Sequence, residues 1–323
     1  MSDSAPLLEV EGLRMHFFTR EGVVKAVDDV SFRVERGRVL GLVGESGSGK
    51  SMTGYSVMGL VDPPGRVVAG RIALGGMDLA SLDEKARRKL RGGRIAMIFQ
   101  DPMMTLNPVL RIDTQMVEAV LAHQPVSRAS ALQRSREALE RVGIPSPDER
   151  LRSYPHEFSG GMRQRVAIAI AMLNRPDLII ADEPTTALDV TVQGQILSEM
   201  QALCRETGAG LIWITHDLSV IAGLADDVCV MYAGRIVESG PVDEVLDRPM
   251  HPYTRALIDS VPSRNTPGRP LAQIRGMAPS PLALDEGCAF RERCARAIEA
   301  CRAAPPVGSP SARRTLRCVN PAA

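Results

Sequence analysis

The chain of 323 residues carries 39 basic and 38 acidic residues, a formal net charge of +1, and is 44% hydrophobic. This balance gives no overall attraction to nucleic acid, and the hydrophobic fraction is ordinary for a protein with a sizeable core. No apolar run approaches the roughly 20 residues that a membrane-spanning helix needs, and the N-terminus lacks the basic and apolar regions of a signal peptide. We therefore expect a cytosolic protein that reaches a membrane only through a partner.

Short runs rich in Val, Ile and Leu predict the buried strands of an α/β sheet. In chain order they are Val39–Val43, Ile95–Phe99, Leu178–Ala181, Leu211–Thr215, Val228–Tyr232 and Arg235–Glu238. The first four end at a glycine-rich loop or at polar residues. Because ligands bind at the carboxyl ends of strands in open α/β sheets, functional groups are expected there.

The region from about 104 to 165 predicts a helical subdomain inserted in this sheet. Helical patterns at Thr114–His123 and Ala129–Val142 dominate it, and another helix is predicted at Val192–Thr207. Beyond residue 240 prolines become frequent, which indicates an extended tail or small appendage rather than a second full domain. We therefore predict a main domain over residues 1–240 and an appendage over 241–323.

The segment Gly44–Ser51, GESGSGKS, fits the phosphate-loop pattern G-x-x-x-x-G-K-[ST]. It follows a predicted strand and precedes a predicted helix, which is the context that the motif requires. Backbone N–H groups of such a loop converge on phosphate oxygens, the lysine reaches the β- and γ-phosphates, and the final serine binds Mg²⁺. The nucleotide-binding residues predicted here are Gly44, Ser46, Gly47, Gly49, Lys50 and Ser51.

Four polar residues follow predicted strands and suit the chemistry of a bound nucleotide. Asp182, in LIIADEP, ends an apolar strand as a Mg²⁺-holding carboxylate does, and Glu183 beside it suits the orientation of an attacking water. Gln100 could touch Mg²⁺ or that water, and His216 could bond the γ-phosphate. The alternatives are a helix cap for the carboxylates and a structural role for the amide and the imidazole.

A second anion cradle is predicted in FSGGMRQR, where Ser159, Gly160 and Gly161 can begin a helix. The chain already has one phosphate loop, so a second cradle would be redundant within the same molecule. We therefore expect it to face a nucleotide held by another protomer. The alternative is an ordinary helix N-cap at Ser159.

With these motifs in this order, the chain resembles ATP-binding-cassette ATPases over roughly residues 7–240. The resemblance implies a P-loop NTPase fold with an inserted helical subdomain and hydrolysis of Mg²⁺-bound ATP, with Ser51, Gln100 and Asp182 near the Mg²⁺. It assigns Gln100 to the Q-loop, Ser159–Met162 to the signature, Ala187–Leu188–Asp189 to the D-loop and His216 to the switch.

Two further positions take their meaning from the resemblance. Phe17 is expected to stack on adenine, with Phe18 as a rival. Met162 stands where the commonest signature has glutamine, but the serine hydroxyl and both glycine backbones remain, so we expect activity to survive this difference.

The sequence also resembles one branch of this family, the ATPases of oligopeptide and dipeptide importers. The resemblance rests on HPYTRALIDSVP at His251–Pro262, on QDPMMTLNP at Gln100–Pro108, and on Met162. It implies a peripheral subunit on the cytoplasmic face of the inner membrane. Its expected partners are a second, paralogous ATPase, two permease subunits and, indirectly, a periplasmic solute-binding protein, with no nucleic acid. Importers of nickel and glutathione share much of the pattern, so the substrate stays open.

Four of the six cysteines, Cys288, Cys294, Cys301 and Cys318, fall in the appendage. Cytosolic thiols in a segment with little core suit either Zn²⁺ or an iron–sulfur cluster, although the C-x₂-C knuckle of structural zinc sites is missing. The spacing resembles the four-cysteine pattern of peptide-importer ATPases, which implies a [4Fe–4S] cluster. Free structural thiols are the alternative. Cys204 and Cys229 lie in predicted core elements and are expected to act as small apolar residues.

Two other functions are alternatives to an importer ATPase. The first is a cassette ATPase outside transport, but the tandem cassettes, long heptad insertions or basic arms typical of that class are not visible here. The second is a redox-sensing regulator in which the cysteine appendage is primary and ATP turnover is secondary.

Overall fold

The structure, a computed structural model, describes residues 5–185, 188–261, 265, 268 and 272–322. Ala187 of the expected D-loop and Pro262 of the tail motif lie outside these residues. The chain divides into two compact units, and its segments alternate between them. Unit one takes in Met1–Leu8, Val34–Val39 and Leu79–Trp213, and unit two takes in Glu9–Arg33, Leu40–Asp78 and Ile214–Ala323.

The regular elements of the described residues are as follows, in chain order. The strands are β1 (Leu8–Thr19), β2 (Gly22–Val34), β3 (Val39–Val43), β4 (Gly65–Leu74), β5 (Met77–Asp78), β6 (Ile95–Ile98), β7 (Leu178–Asp182), β8 (Gly210–Thr215), β9 (Asp227–Tyr232), β10 (Arg235–Pro241), β11 (Gly308–Ser311) and β12 (Arg314–Leu316). The α-helices are α1 (Lys50–Met58), α2 (Glu84–Leu90), α3 (Ile112–Leu121), α4 (Arg128–Arg141), α5 (Pro147–Arg150), α6 (Gly160–Met172), α7 (Val190–Thr207), α8 (Leu218–Leu224), α9 (Val242–Asp247) and α10 (Pro252–Asp259).

Unit one contains parallel strands whose side chains are buried on both faces. β6 and β7 pair in parallel from Ile95 opposite Leu178 to Ile98 opposite Ala181, and β8 follows β7 in the sheet. Every residue of β6 and β7 is buried, as a parallel sheet covered on both faces requires. The apolar runs read from the sequence therefore correspond to real strands.

The stretch between β6 and β7 is helical, as the sequence predicted for residues 104 to 165. No strand occurs between residues 99 and 177, all of which the structure describes. Ser127 caps α4 by accepting the Ser130 N–H at 3.2 Å, and α4 then buries Ala131, Ser135 and Leu139, spaced four residues apart on one face. This face lets α4 pack against α3 and α6.

Unit two contains a four-stranded sheet that the sequence did not reveal, with strand order β2–β1–β4–β5, in which β4 and β5 pair in antiparallel fashion. Exposed and buried positions alternate irregularly along β1 and β2, so the period-2 pattern that identifies a half-buried strand is weak. β3 pairs in parallel with β9, and β9 is followed in the sheet by β10, β12 and β11, which pair in antiparallel fashion. The appendage thus contributes two strands, where an extended tail or a small appendage was expected.

A buried carboxylate fixes the appendage to β10. Glu238 is 0% exposed, and its two carboxylate oxygens accept the backbone N–H groups of Met250 and His251, both at 2.9 Å. The guanidinium of Arg314 in β12, which is also buried, donates to the same carboxylate. Because the Glu238 carboxylate is both paired and hydrogen-bonded through its two oxygens, its charge can be buried.

Within the described part of the chain, no helix is both long enough and apolar enough to cross a bilayer.

Candidate functional site

The phosphate-loop segment lies in unit two between β3 and α1, and its backbone passes very close to neighbouring strands. Gly44 has a φ of 152°, and a Cβ there would lie 2.2 Å from the carbonyl oxygen of Met231 in β9. Gly49 has a φ of 102°, and a Cβ there would lie 2.4 Å from the carbonyl oxygen of Ala26 in β2. Only glycine fits these two positions, so the motif is required by packing as well as by any ligand.

Lys50, the first residue of α1, points into the loop. It is 6% exposed, and its Nζ donates to the carbonyl oxygens of Gly44 at 2.8 Å and Glu45 at 2.9 Å. Ser51 is half-buried one residue further on, while residues 46 and 47 are exposed at the loop tip. A buried ammonium beside the N-terminus of a helix, with an open loop in front of it, is suited to bind an anionic phosphate.

In unit one, the carboxylates and the glutamine lie at adjacent strand ends. Asp182 ends β7 and is 1% exposed, and Glu183 follows with a φ of 45°. A left-handed conformation is unfavourable for a residue other than glycine, and residues held in it are enriched at functional sites. The Nε2 of Gln100 donates to the Oε2 of Glu183 at 3.3 Å. The structure thus brings together Gln100 and Glu183, which the sequence predicted to act on the same water.

The serine–glycine element begins α6 in unit one. The Oγ of Ser159 accepts the Met162 N–H at 3.2 Å, so the helix cap that was the alternative reading is present. Both Ser159 and Gly160 are exposed, Gly161 is half-buried, and a Cβ on Gly160 would meet no atom within 4 Å. Packing among the described residues therefore does not account for a glycine at position 160.

His216 and the two candidate adenine-stacking residues lie in unit two. His216 is exposed directly after β8. The ring of Phe17 packs on Gly65, where an added Cβ would lie 2.7 Å from it. Phe18 is 38% exposed and has the guanidinium of Arg66 4.1 Å from its ring centroid. Phe18 thus already has a cation on one face.

Two residues that hold Glu45 of the phosphate loop, Arg293 and Tyr253, were not predicted from the sequence, nor was the bond from Arg293 to Tyr232. The side chain of Arg293, 248 residues away in the chain, forms a two-point ion pair with Glu45, at 2.7 and 3.0 Å. The Tyr253 hydroxyl accepts the Glu45 N–H at 2.9 Å, and the Tyr232 hydroxyl accepts from Arg293 at 3.1 Å. The tail motif contains Tyr253, but no sequence pattern pointed from an isolated arginine to the loop.

The four cysteines of the appendage line one small cavity in unit two, here called the cysteine cavity: Cys288, Cys294, Cys301 and Cys318. Burial raises the pKa of the thiols of Cys288, Cys294 and Cys318, so they are protonated near neutral pH. Thiol donors have the chemistry that Zn²⁺ or iron–sulfur clusters need. Among the described residues, however, no three His, Cys, Asp or Glu side chains are arranged to hold a metal ion.

The other two cysteines are buried in the core, as expected. Cys204 in α7 is 1% exposed and Cys229 in β9 is 3% exposed. Burial raises the pKa of the Cys229 thiol to about 12, which makes it an unreactive small apolar side chain.

Comparisons with known proteins identify the protein family to which the α/β fold and the phosphate loop point. Residues 27–186 match the family model described as ABC transporter. A solved ATP-binding subunit of an ABC transporter superposes with a TM-score of 0.62 at 29% identity, over 75% of this chain and 92% of that one. An ATP-binding cassette solved as a dimer with ADP and phosphate superposes with a TM-score of 0.67 at 24% identity, over 73% and 98%, and supports the fold alone. The chain belongs to the ATP-binding-cassette ATPases, as its motifs predicted.

Relatives and a second family model define the branch. Residues 237–301 match the model described as oligopeptide/dipeptide transporter, C-terminal region. The oligopeptide transport ATP-binding protein OppD of Salmonella typhimurium is 47% identical over 98% of this chain and 94% of its own length. The dipeptide transport ATP-binding protein DppD of Escherichia coli K12 is 45% identical over 93% and 92%. Within its family, this chain is an ATP-binding subunit of the oligopeptide and dipeptide transporter type, which confirms the expected branch.

Proposed function

We propose that the protein hydrolyses ATP to drive the import of di- or oligopeptides through a membrane permease. The observation that carries the proposal is that one chain combines the phosphate loop and the Gln100–Glu183 pair with a C-terminal region of the oligopeptide and dipeptide transporter type. That C-terminal region argues against a cassette ATPase outside transport. A nickel or glutathione importer of the same branch is the second candidate, because selectivity for cargo is expected to lie in the solute-binding protein and the permease and not in this chain.

The proposed nucleotide-binding roles follow from the loop geometry. Lys50 holds the β- and γ-phosphates, and its hydrogen bonds to loop carbonyls are replaced by hydrogen bonds to phosphate oxygens. Backbone N–H groups of the loop bind further phosphate oxygens, and they include those of residues 44, 46, 47 and 49. Phe17 is the proposed stacking partner of adenine, with Phe18 as its rival. Mg²⁺, when bound, neutralises phosphate charge. Its proposed ligands, direct or through water, are Ser51, Gln100 and Asp182, whose oxygen donors suit a hard cation.

The proposed hydrolytic roles fall to three residues. Glu183 orients and polarises the attacking water, and its hydrogen bond to Gln100 lets that amide register the state of the γ-phosphate. His216, exposed after β8, bonds the γ-phosphate. The positive φ of Glu183 supports its role, because residues in such sparsely populated conformations are enriched at active sites.

The proposed assembly contains a second ATPase subunit, favoured as a paralogue, and two transmembrane permease subunits. Ser159, Gly160 and Gly161 are proposed to bind the γ-phosphate of the partner's nucleotide. The open space beside Gly160 supports this, because nothing among the described residues fills it. A periplasmic solute-binding protein delivers the peptide, and this subunit acts peripherally on the cytoplasmic face of the inner membrane.

We also propose that residues 1–240 form the ATPase domain, with a helical subdomain at about 104–165, and that residues 241–323 form its appendage. The two family matches, which end at residue 186 and begin at residue 237, support a division near residue 240. The helices α3 to α5 support the inserted subdomain.

We propose a metal group in the cysteine cavity, and the only support for it is the presence of four thiol donors. Four thiols line the cavity, which supports a [4Fe–4S] cluster, with Zn²⁺ as the alternative. Anaerobic purification followed by assays for iron, acid-labile sulfide and zinc tests this. Iron and sulfide in equal amounts, both lost in Cys294→Ser, support the cluster. One zinc per chain supports the alternative, and protein without either contradicts both.

The hydrolytic assignment is tested by ATP turnover of purified wild type, Glu183→Gln and Glu206→Gln. The last variant makes the same chemical change at an exposed position near the end of α7. Glu183→Gln is expected to lower kcat by a factor of about a hundred or more while still binding nucleotide, because general-base catalysis typically contributes that much. Turnover that equals that of Glu206→Gln would contradict the role of Glu183.

A further inference from the structure

An aromatic cluster of Tyr232, Tyr253 and Phe290 in unit two determines the direction of one short turn in the appendage. Phe290 is 2% exposed, and its ring lies edge-on 5.3 Å from the ring of Tyr232 and 5.3 Å from that of Tyr253. The short 3-10 helix Arg291–Arg293 follows directly. Because Phe290 is enclosed by aromatic side chains, the turn after it has little freedom to move.

The turn places the guanidinium of Arg293 against the phosphate loop. The Arg293 side chain is 7% exposed, and all three of its nitrogens donate. Nη1 and Nη2 form the ion pair with Glu45, Nη1 also donates to the Tyr232 hydroxyl, and Nε donates to the carbonyl oxygen of Arg275 at 2.9 Å. Such a planar, two-point pair fixes the orientation of the carboxylate as well as its position.

Every polar group of Glu45 is therefore held by a different partner. Its N–H donates to Tyr253, its carbonyl oxygen accepts from Lys50, and its carboxylate is bound by Arg293. Glu45 is the second residue of the loop, and its carboxylate is a negative charge close to where a polyphosphate is expected. Without a cation opposite it, that charge would repel the phosphates and compete for Lys50.

We propose that Arg293 is a positioning residue for the phosphate loop, through which the appendage sets the affinity of the subunit for MgATP. Arg293 neutralises Glu45 and holds the second residue of the loop in place. The inference rests on the proposed function, in which this loop binds ATP. Because Cys294 follows Arg293 directly, the same turn lines the cysteine cavity and supports the loop.

The test measures the Kd for a fluorescent MgATP analogue, and KM and kcat for ATP, in the full-length protein. Arg293→Met is expected to raise Kd and KM about tenfold and leave kcat within about twofold, the loss typical of one charge-assisted pair that is partly exposed. Arg293→Lys keeps the charge but not the two-point geometry and is expected to raise Kd about threefold. In Arg293→Met/Glu45→Gln the unpaired carboxylate is gone, so Kd is expected to return to within about threefold of wild type.

Two controls make the outcomes separable. Arg302→Met removes another arginine of the appendage, whose exposed ion pair with Glu299 lies in a different turn, and is expected to leave Kd unchanged. Lys50→Ala is expected to abolish binding. Loss of binding in Lys50→Ala with a wild-type Kd in folded Arg293→Met would overturn this inference alone. Wild-type binding by Lys50→Ala would overturn the proposed nucleotide site and this inference with it.

The double variant separates an effect of Arg293 through the Glu45 carboxylate from simple stabilisation of the fold, and Arg293→Lys tests the two-point geometry that positions the loop. If Arg293 only stabilised the fold, Arg293→Met/Glu45→Gln would bind no better than Arg293→Met, and the inference would be wrong. If Arg293→Met does not fold, Arg293→Lys decides the question, because an unchanged Kd in that variant contradicts a requirement for the two-point pair.

Discussion

Removing the buried carboxylate of Glu238 should release the appendage from the rest of unit two. In Glu238→Ala, the buried guanidinium of Arg314 loses its counter-ion and the N–H groups of Met250 and His251 lose their acceptors. Removing one partner of a buried ion pair typically lowers the free energy of unfolding by about 3–5 kcal/mol, so we expect a decrease of about 4 kcal/mol in this variant. For a chain of this size that corresponds to a fall in Tm of roughly 10 °C. If the free energy of local opening of the appendage falls by the same amount, its amides should lose about a thousandfold of their protection against hydrogen exchange.

The protection is measured by hydrogen exchange and mass spectrometry in peptides that cover β10 and β12, and the Tm is measured by calorimetry. The matched control is Asp227→Ala, which removes the exposed pair between Asp227 and Arg313 that also joins the appendage to β9. Exposed pairs contribute less than about 1 kcal/mol, so the control should change exchange in β12 by less than about fivefold. If Glu238→Ala behaved like this control, the buried pair would not be what holds the appendage.

Three further predictions concern acid stability, magnesium and the signature. Burial lowers the pKa of His251 from 6.5 to about 4, so between these pH values the unfolded chain binds more protons and the free energy of unfolding falls as the pH drops. His251→Asn keeps an acceptor that caps α10 and should flatten the dependence on pH of the free energy of unfolding measured in urea. A dependence as steep as that of the wild type between pH 6.5 and 4 would refute this prediction. Asp182→Asn should raise the Mg²⁺ concentration needed for half-maximal ATP turnover about tenfold, and an unchanged requirement would remove Asp182 from the metal site. Ser159→Ala should lower turnover of the assembled transporter without changing the affinity of the isolated subunit for MgATP; a parallel loss of affinity would mean that Ser159 acts within its own chain.

The sequence was most informative where backbone geometry restricts residue choice. The phosphate loop was recognisable because a Cβ on Gly44 would lie 2.2 Å, and a Cβ on Gly49 2.4 Å, from a carbonyl oxygen, so only glycine fits there. The buried parallel strands β6 and β7 were recognisable because both their faces are covered, which produces continuous apolar runs.

Long-range polar contacts and short strands were not predictable. β12 has three residues, too few for any periodic pattern, and its place in the sheet depends on Arg314 meeting Glu238 across 76 residues. The pairing of Arg293 with Glu45 depends on the direction of a single turn behind Phe290, and local sequence does not encode it. Such contacts are set by tertiary packing, which a single sequence does not display.

Peptide uptake into proteoliposomes tests the central claim most directly. The vesicles contain the permease subunits and the partner ATPase, together with wild type, Glu183→Gln or Glu206→Gln, and the solute-binding protein is added outside. The account predicts that a labelled tripeptide accumulates only with ATP and Mg²⁺ on the side of the ATPases. It also predicts that Glu183→Gln abolishes accumulation and that unlabelled peptides, but not nickel or glutathione, compete. Accumulation that persists in Glu183→Gln, or transport of nickel or glutathione in place of peptide, would contradict it.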